Sequence, residues 1–103
     1  MATVKISEKN FEELVLKSEK TVLLDFYADW CGPCKMLAPV LESLADENPD
    51  IVVGKINVDD EGGLASAFKV SAIPTLVVMK NGQAVDKQMG FMSKSELLKM
   101  LGK

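Results

Sequence analysis

Thr21-Val22-Leu23-Leu24-Asp25-Phe26-Tyr27, followed after Ala28-Asp29 by Trp30-Cys31-Gly32-Pro33-Cys34-Lys35, is the stretch that decides the fold, and it holds both cysteines of the chain. Its first seven residues are apolar on both alternating faces except at Asp25. That is the pattern of a central strand covered on both sides. Beyond Cys34, the residues Leu37, Val40, Leu41, Leu44 and Ala45 recur at i, i+3, i+4, i+7 and i+8, the stripe of an amphipathic helix. Pro39 inside that stripe predicts a kink, and Asn48-Pro49-Asp50 ends the helix. The cysteines therefore fall between a buried strand and a helix. In open α/β sheets, sites collect beyond the carboxyl ends of the strands.

Working outward, Val4 to Ile6 reads as a short first strand. Ser7 and Asn10 are candidate N-caps, and Phe11, Leu14 and Val15 share one helical face. Ile51 to Val58 is a second buried strand, interrupted by Gly54 and Lys55. A turn at Asp59-Asp60-Glu61-Gly62-Gly63 leads to a short helix from Leu64 to Phe68. Thr75 to Met79 and Ala84 to Met89 are strands joined through Asn81-Gly82, a strong hairpin signal because a type I′ turn needs positive φ at both positions. The last helix opens at Ser93, with Glu96 three residues on as a capping box and Met92 and Leu97 placed as a hydrophobic staple. The order β-α-β-α-β-α-β-β-α predicts an α/β protein. Its sheet is mixed and five-stranded, with parallel pairing first, an antiparallel hairpin last, and helices on both faces.

A chain of 103 residues fits a single domain, 1–103, with one core. Net charge is −3 and there is no Arg, which argues against a nucleic-acid partner. No apolar run approaches the ~20 residues of a membrane span. The start, Met1-Ala2-Thr3-Val4-Lys5, lacks the apolar core of a signal peptide, so the expected location is cytoplasmic. A disulfide there is more often transient and catalytic than structural.

Three chemistries compete for Cys31-Gly32-Pro33-Cys34. Zinc needs about four ligands, and two Cys with no His leave the set incomplete. A structural disulfide closing so short a loop contributes only roughly 2 kcal/mol. Thiol exchange fits better. Residues three apart on a helix have Cβ atoms about 5–6 Å apart, against about 3.8 Å in a disulfide, so the ring closes only with local adjustment. The helix N-terminus favours a thiolate, and the outer Cys31 has the better access to its free N–H groups. Cys31 is therefore the expected nucleophile and Cys34 the resolving thiol. Pro33 suits the first turn, Gly32 removes bulk where a partner approaches, and Trp30 offers an apolar face. Asp25, in a covered strand, is a candidate proton acceptor for Cys34 because desolvation raises a carboxyl pKa; the alternative is a satisfied polar group at a sheet edge.

The run from Asp25 to Pro39 resembles the bacterial thioredoxin family. The resemblance continues through Lys55-Ile56-Asn57-Val58-Asp59, Ala72-Ile73-Pro74-Thr75, Lys80-Asn81-Gly82 and Gly90, and so covers nearly the whole chain in order. It implies a thioredoxin fold and general reduction of protein disulfides. The partners it implies are disulfide-containing proteins and an NADPH-dependent thioredoxin reductase; the chain itself would hold no cofactor and be a monomer. Asp25 matches the family's buried acid and Lys55 the lysine beside it, although Lys55 also reads as a lysine reaching solvent. Ile73-Pro74-Thr75 matches the cis-proline segment facing the disulfide, and Gly90 a glycine that allows close approach. Trp30, Gly32, Pro33, Ile73, Pro74 and Gly90 would form an apolar docking patch. The chain departs from the family at Tyr27, where Trp is usual, at Asp29, and at Phe91, where a small residue is usual. The six Met read as core filler, although Met36, Met89 and Met92 flank the site segments and are candidates for exposure to oxidants. Gly32-Pro33 between the cysteines favours a reductase over an oxidase or isomerase. A reading of another class is a redox-independent binding subunit that uses the same patch.

Overall fold

The computed structural model describes residues 2–103. Five strands form one sheet: β1 (Val4–Lys5), β2 (Thr21–Tyr27), β3 (Ile51–Asn57), β4 (Thr75–Lys80) and β5 (Gln83–Met89). Their order across the sheet is β1-β3-β2-β4-β5. β3 pairs in parallel with β1 and with β2, and β4 is antiparallel to β2 and to β5. The expected mixed five-stranded sheet is present, with β2 at its centre.

Both faces of β2 are covered, as its sequence requires. Leu23 points to one side, into a cluster with Leu37, Leu41 and Leu44 of helix α1 (Gly32–Glu47) and Leu97 of α3 (Lys94–Met100). Val22, Leu24 and Phe26 point to the other, against Val15 and against Leu64 of α2 (Gly62–Ala67). Burying one such side chain contributes about 1.5–3 kcal/mol, so the alternation of β2 fixes its register between two cores. α1 continues through Pro39 and ends at Asn48, whose Nδ2 donates to the Leu44 carbonyl at 2.9 Å. Asn81 and Gly82 take φ of 52° and 78°, the pair of positive values expected of the β4–β5 turn.

Some local expectations are corrected. The first helix is only a π-helical segment, Glu12–Leu16, closed by Lys17 N–H donating to the Glu12 carbonyl at 2.9 Å. Asn10 does not cap it. Its Oδ1 accepts from the Ser7 N–H and its Nδ2 donates to the Lys5 carbonyl, which ties the end of β1 instead. Leu14 is exposed beside buried Val15, so the predicted face narrows. Met79 is core filler as expected, and Met36 and Met89 are exposed, as their place beside the site segments predicts.

The capping box of α3 is present as expected. Ser93 Oγ accepts from the Glu96 N–H at 3.2 Å, and Glu96 Oε1 accepts from the Ser93 N–H at 2.9 Å. Ser93→Ala should lower stability by about 1 kcal/mol, read as a lower urea midpoint with an unchanged slope. An unchanged midpoint would show that packing of Leu97 holds the helix without its cap.

Candidate active site

The site forms where β2 ends. Ala28 follows the strand and is buried, and the Cys31 N–H donates to the Ala28 carbonyl at 3.2 Å, turning the chain into α1. Cys31 is the N-cap of that helix, with Gly32 and Pro33 in its first turn. Pro33 has no N–H to leave unpaired there. Cys31 and Cys34 are joined as a disulfide, their Cα atoms 5.2 Å apart. The Cys34 N–H donates to Cys31 Sγ at 3.2 Å. A donor of the helix N-terminus thus points at the outer sulfur. Both residues are nearly buried, packed with Ala28, Tyr27, Val58 and Ile73, while Gly32 and Pro33 are exposed.

The loop before β4 faces the pair. The Ile73–Pro74 bond is cis, and the Ile73 carbonyl oxygen lies 3.9 Å from Cys31 Sγ. The Gly90 N–H donates to the Pro74 carbonyl at 2.8 Å, and Gly90 has φ 93°, a conformation that disfavours any side chain. A Cβ there would meet nothing within 4 Å, so the surface over Gly90 is open. Pro74 itself is buried. Of the other residues expected in the docking patch, Trp30, Gly32 and Pro33 are exposed and Ile73 and Gly90 are half-buried. Thr75 is buried too, its hydroxyl donating to the Ala72 carbonyl, so its side chain shapes the loop from beneath.

Trp30 is 71% exposed. Its indole N–H donates to Asp59 Oδ2 at 2.9 Å. The ring forms one wall of a groove of about 340 Å³, completed by Val58, Ala65, Val70, Ala72 and Ile73. Sequence reasoning missed Asp59 as Trp30's partner. The available signal is the parallel pairing of β2 with β3, which brings the turns after Tyr27 and Asn57 side by side. Phe91 and Met89, the chain neighbours of Gly90, are exposed.

Asp25 is fully buried on β2, the strand that leads into the cysteine turn. Among the described residues, neither carboxylate oxygen has a hydrogen-bond partner. Burial raises its pKa from 3.8 to about 7, and the charge of Lys55 offsets this only in part. The sheet-edge alternative does not hold, since Asp25 sits in the middle strand and is unsatisfied. Lys55 is Asp25's register partner on β3, and its ammonium lies 4.4 Å over the centre of the Tyr27 ring. Tyr27, Cys34, Lys35 and Lys55 line a cleft of about 180 Å³ that leads to the inner cysteine.

A closed cysteine pair at a helix N-terminus, on the carboxyl edge of a mixed α/β sheet and beside an apolar groove, defines a thiol–disulfide oxidoreductase. The thioredoxin family profile matches residues 2–103. Curated relatives named thioredoxin include one of Staphylococcus haemolyticus, 48% identical over 100% of this chain and 98% of its own length. Another, of Mycobacterium tuberculosis, is 48% identical over 97% of this chain and 87% of its own. A third, of Chlamydia caviae, is 44% identical over 93% and 92%. The chain belongs to the thioredoxin family, and its activity is that of a protein-disulfide reductase. The family's partners are disulfide-bearing substrates and a thioredoxin reductase. No helix among the described residues is long and apolar enough to cross a membrane.

Proposed function

We propose that Cys31 is the attacking thiolate, Cys34 the resolving thiol and Asp25 the group that takes the Cys34 proton. The observation that carries the assignment is the Cys34 N–H directed at Cys31 Sγ, which stabilises charge on the outer sulfur. In the reduced protein, Cys31 Sγ attacks one sulfur of a substrate disulfide. That bond breaks, a mixed disulfide forms, and the first substrate sulfur leaves as a thiolate. Asp25, with a pKa near 7, is ionised in a useful fraction of molecules at neutral pH and accepts the proton of Cys34. Cys34 Sγ then attacks Cys31 Sγ and expels the second substrate thiolate. Two electrons have passed to the substrate, and the Cys31–Cys34 disulfide is the oxidised product.

The flanking residues serve docking. The N–H and C=O of Ile73 take part in no backbone hydrogen bond among the described residues, which leaves that peptide free to pair with an extended substrate. Trp30, Gly32, Pro33 and Gly90 supply apolar contact around it, with Pro74 and Thr75 holding the loop in place. Recharging by an NADPH-dependent reductase, action as a monomer and a cytoplasmic location complete the proposal as one single-domain unit.

The test is turnover of a model protein disulfide with a small dithiol as electron source. The chain should exceed the dithiol alone, and failure to do so would sink the reading. Trp30→Ala should raise KM for a protein disulfide about tenfold, the scale of losing one large apolar contact. Exchange with a small disulfide should not change. An equal loss on both substrates would place Trp30 in the chemistry, not in docking.

A further inference from the structure

We propose that Tyr27 is a positioning residue whose ring holds the Lys55 ammonium away from the Asp25 carboxyl, leaving that buried acid unpaired. The inference concerns the acid assigned above as proton acceptor and rests on that reading for its consequence in turnover. Two observations carry it. Asp25 and Lys55 are direct register partners on adjacent parallel strands, so their side chains leave the sheet side by side on one face. Yet among the described residues neither Asp25 oxygen has a partner, and the ammonium sits 4.4 Å over the Tyr27 ring.

The physics favours this division. Pairing with Asp25 would take the ammonium from a half-buried position into a fully buried one, at a desolvation penalty that can exceed the Coulomb gain. The negative face of an aromatic ring offers an alternative contact nearer water. The other charged groups at this end leave the choice to Tyr27. Asp29 and Lys35 line the same cleft as Lys55, Asp60 acts on the tyrosine by charge, β4 presents only Leu76 opposite Asp25, and among the described residues none of these acids forms an ion pair with Lys55. An unpaired buried carboxyl stays protonated to higher pH than a paired one, so the ring keeps Asp25 able to cycle a proton near neutrality.

Carboxyl-carbon NMR titration of Asp25 in the oxidised protein tests this. Tyr27→Leu removes the ring face and should lower the Asp25 midpoint by about one pH unit or more. Tyr27→Phe keeps the face and should leave the midpoint in place. In Tyr27→Leu with Lys55→Met the fall should vanish, because no ammonium remains to pair. An unchanged midpoint in Tyr27→Leu, or a fall that persists without Lys55, would overturn the proposal. A measurement on the parent needs no variant to fold: the Lys55 ε-methylene protons should show an upfield ring-current shift, and its absence would also overturn it. The midpoint is read without turnover. A failure of Asp25 as proton acceptor would therefore show separately, as turnover whose pH profile ignores the midpoint.

Discussion

Cys31→Ser should abolish turnover of protein disulfides, a loss of more than about a thousandfold, while Cys34→Ser should stop the reaction halfway with the substrate attached. The difference follows from position in the helix. Cys31 is the N-cap residue, and its sulfur receives the Cys34 N–H at 3.2 Å. Charge on that sulfur is stabilised by a donor that has no carbonyl within the helix to bond. A serine hydroxyl in its place cannot be ionised at neutral pH and cannot exchange with a disulfide, so removing the nucleophile removes the reaction. Cys34 lies one turn further in, and the two cysteines pack together against Ala28, Tyr27, Val58 and Ile73. Cys31 and Cys34 are buried alike, so the proposed order of attack rests on the N-terminal donor at Cys31 Sγ. With Cys34 replaced, the mixed disulfide on Cys31 has no internal thiol to release it. Mass spectrometry after mixing with an oxidised protein substrate should show a covalent one-to-one adduct for Cys34→Ser and none for Cys31→Ser. An adduct on Cys34 in the Cys31→Ser protein would reverse the two assignments.

Asp25→Asn should make the protein both more stable and slower, and the stability gain should grow with pH. The folded-state pKa of Asp25 is raised to about 7 from an ordinary 3.8. Below pH 3.8 the folded and unfolded chains both carry the proton, and the acid costs nothing through titration. As pH rises from there toward 7, the unfolded chain gives up the proton and the folded chain keeps it, so stability falls. Above 7 both are ionised, and the accumulated cost is constant, on the order of 4 kcal/mol. The asparagine amide copies the shape of the neutral acid and never ionises. Its advantage should therefore be small at pH 4 and reach several kcal/mol at pH 8. Urea denaturation at the two pH values reads this directly, and a gain equal at both would show that burial does not hold the Asp25 pKa up. Resolution of the mixed disulfide should slow by about a hundredfold, and the inflection near pH 7 should leave the rate profile. Turnover that kept that inflection would assign it to another group.

The elements of this chain were legible because their periods are unambiguous. β2 reads as a doubly covered strand, and it is one, with Leu23 in one core and Leu24 in the other. α1 reads from its apolar stripe, the β4–β5 turn from Asn81-Gly82, and the start of α3 from Ser93 and Glu96. The segment after β1 misled for a stated reason. Asn10 is equally able to accept from a following or a preceding N–H, and here it bonds back to Ser7. The chain then closes one wide turn in place of a regular helix, and Leu14 falls outside its core.

For the site, the sequence by itself determined which residues could do the chemistry. Two cysteines in one C-x-x-C, a helix beginning at them and an acid in the preceding strand favour thiol exchange over zinc or a structural staple, because ring size and helix polarity are local properties. The tertiary structure decided what each side chain faces. It joined Asp59 to Trp30, turned Pro74 and Thr75 inward beneath the patch, exposed Met36 and Met89, and set Lys55 over Tyr27 with Asp25 left unpaired. Each of those contacts joins residues from different elements. Their geometry depends on strand register and on which face is buried, and neither exists until the sheet has formed.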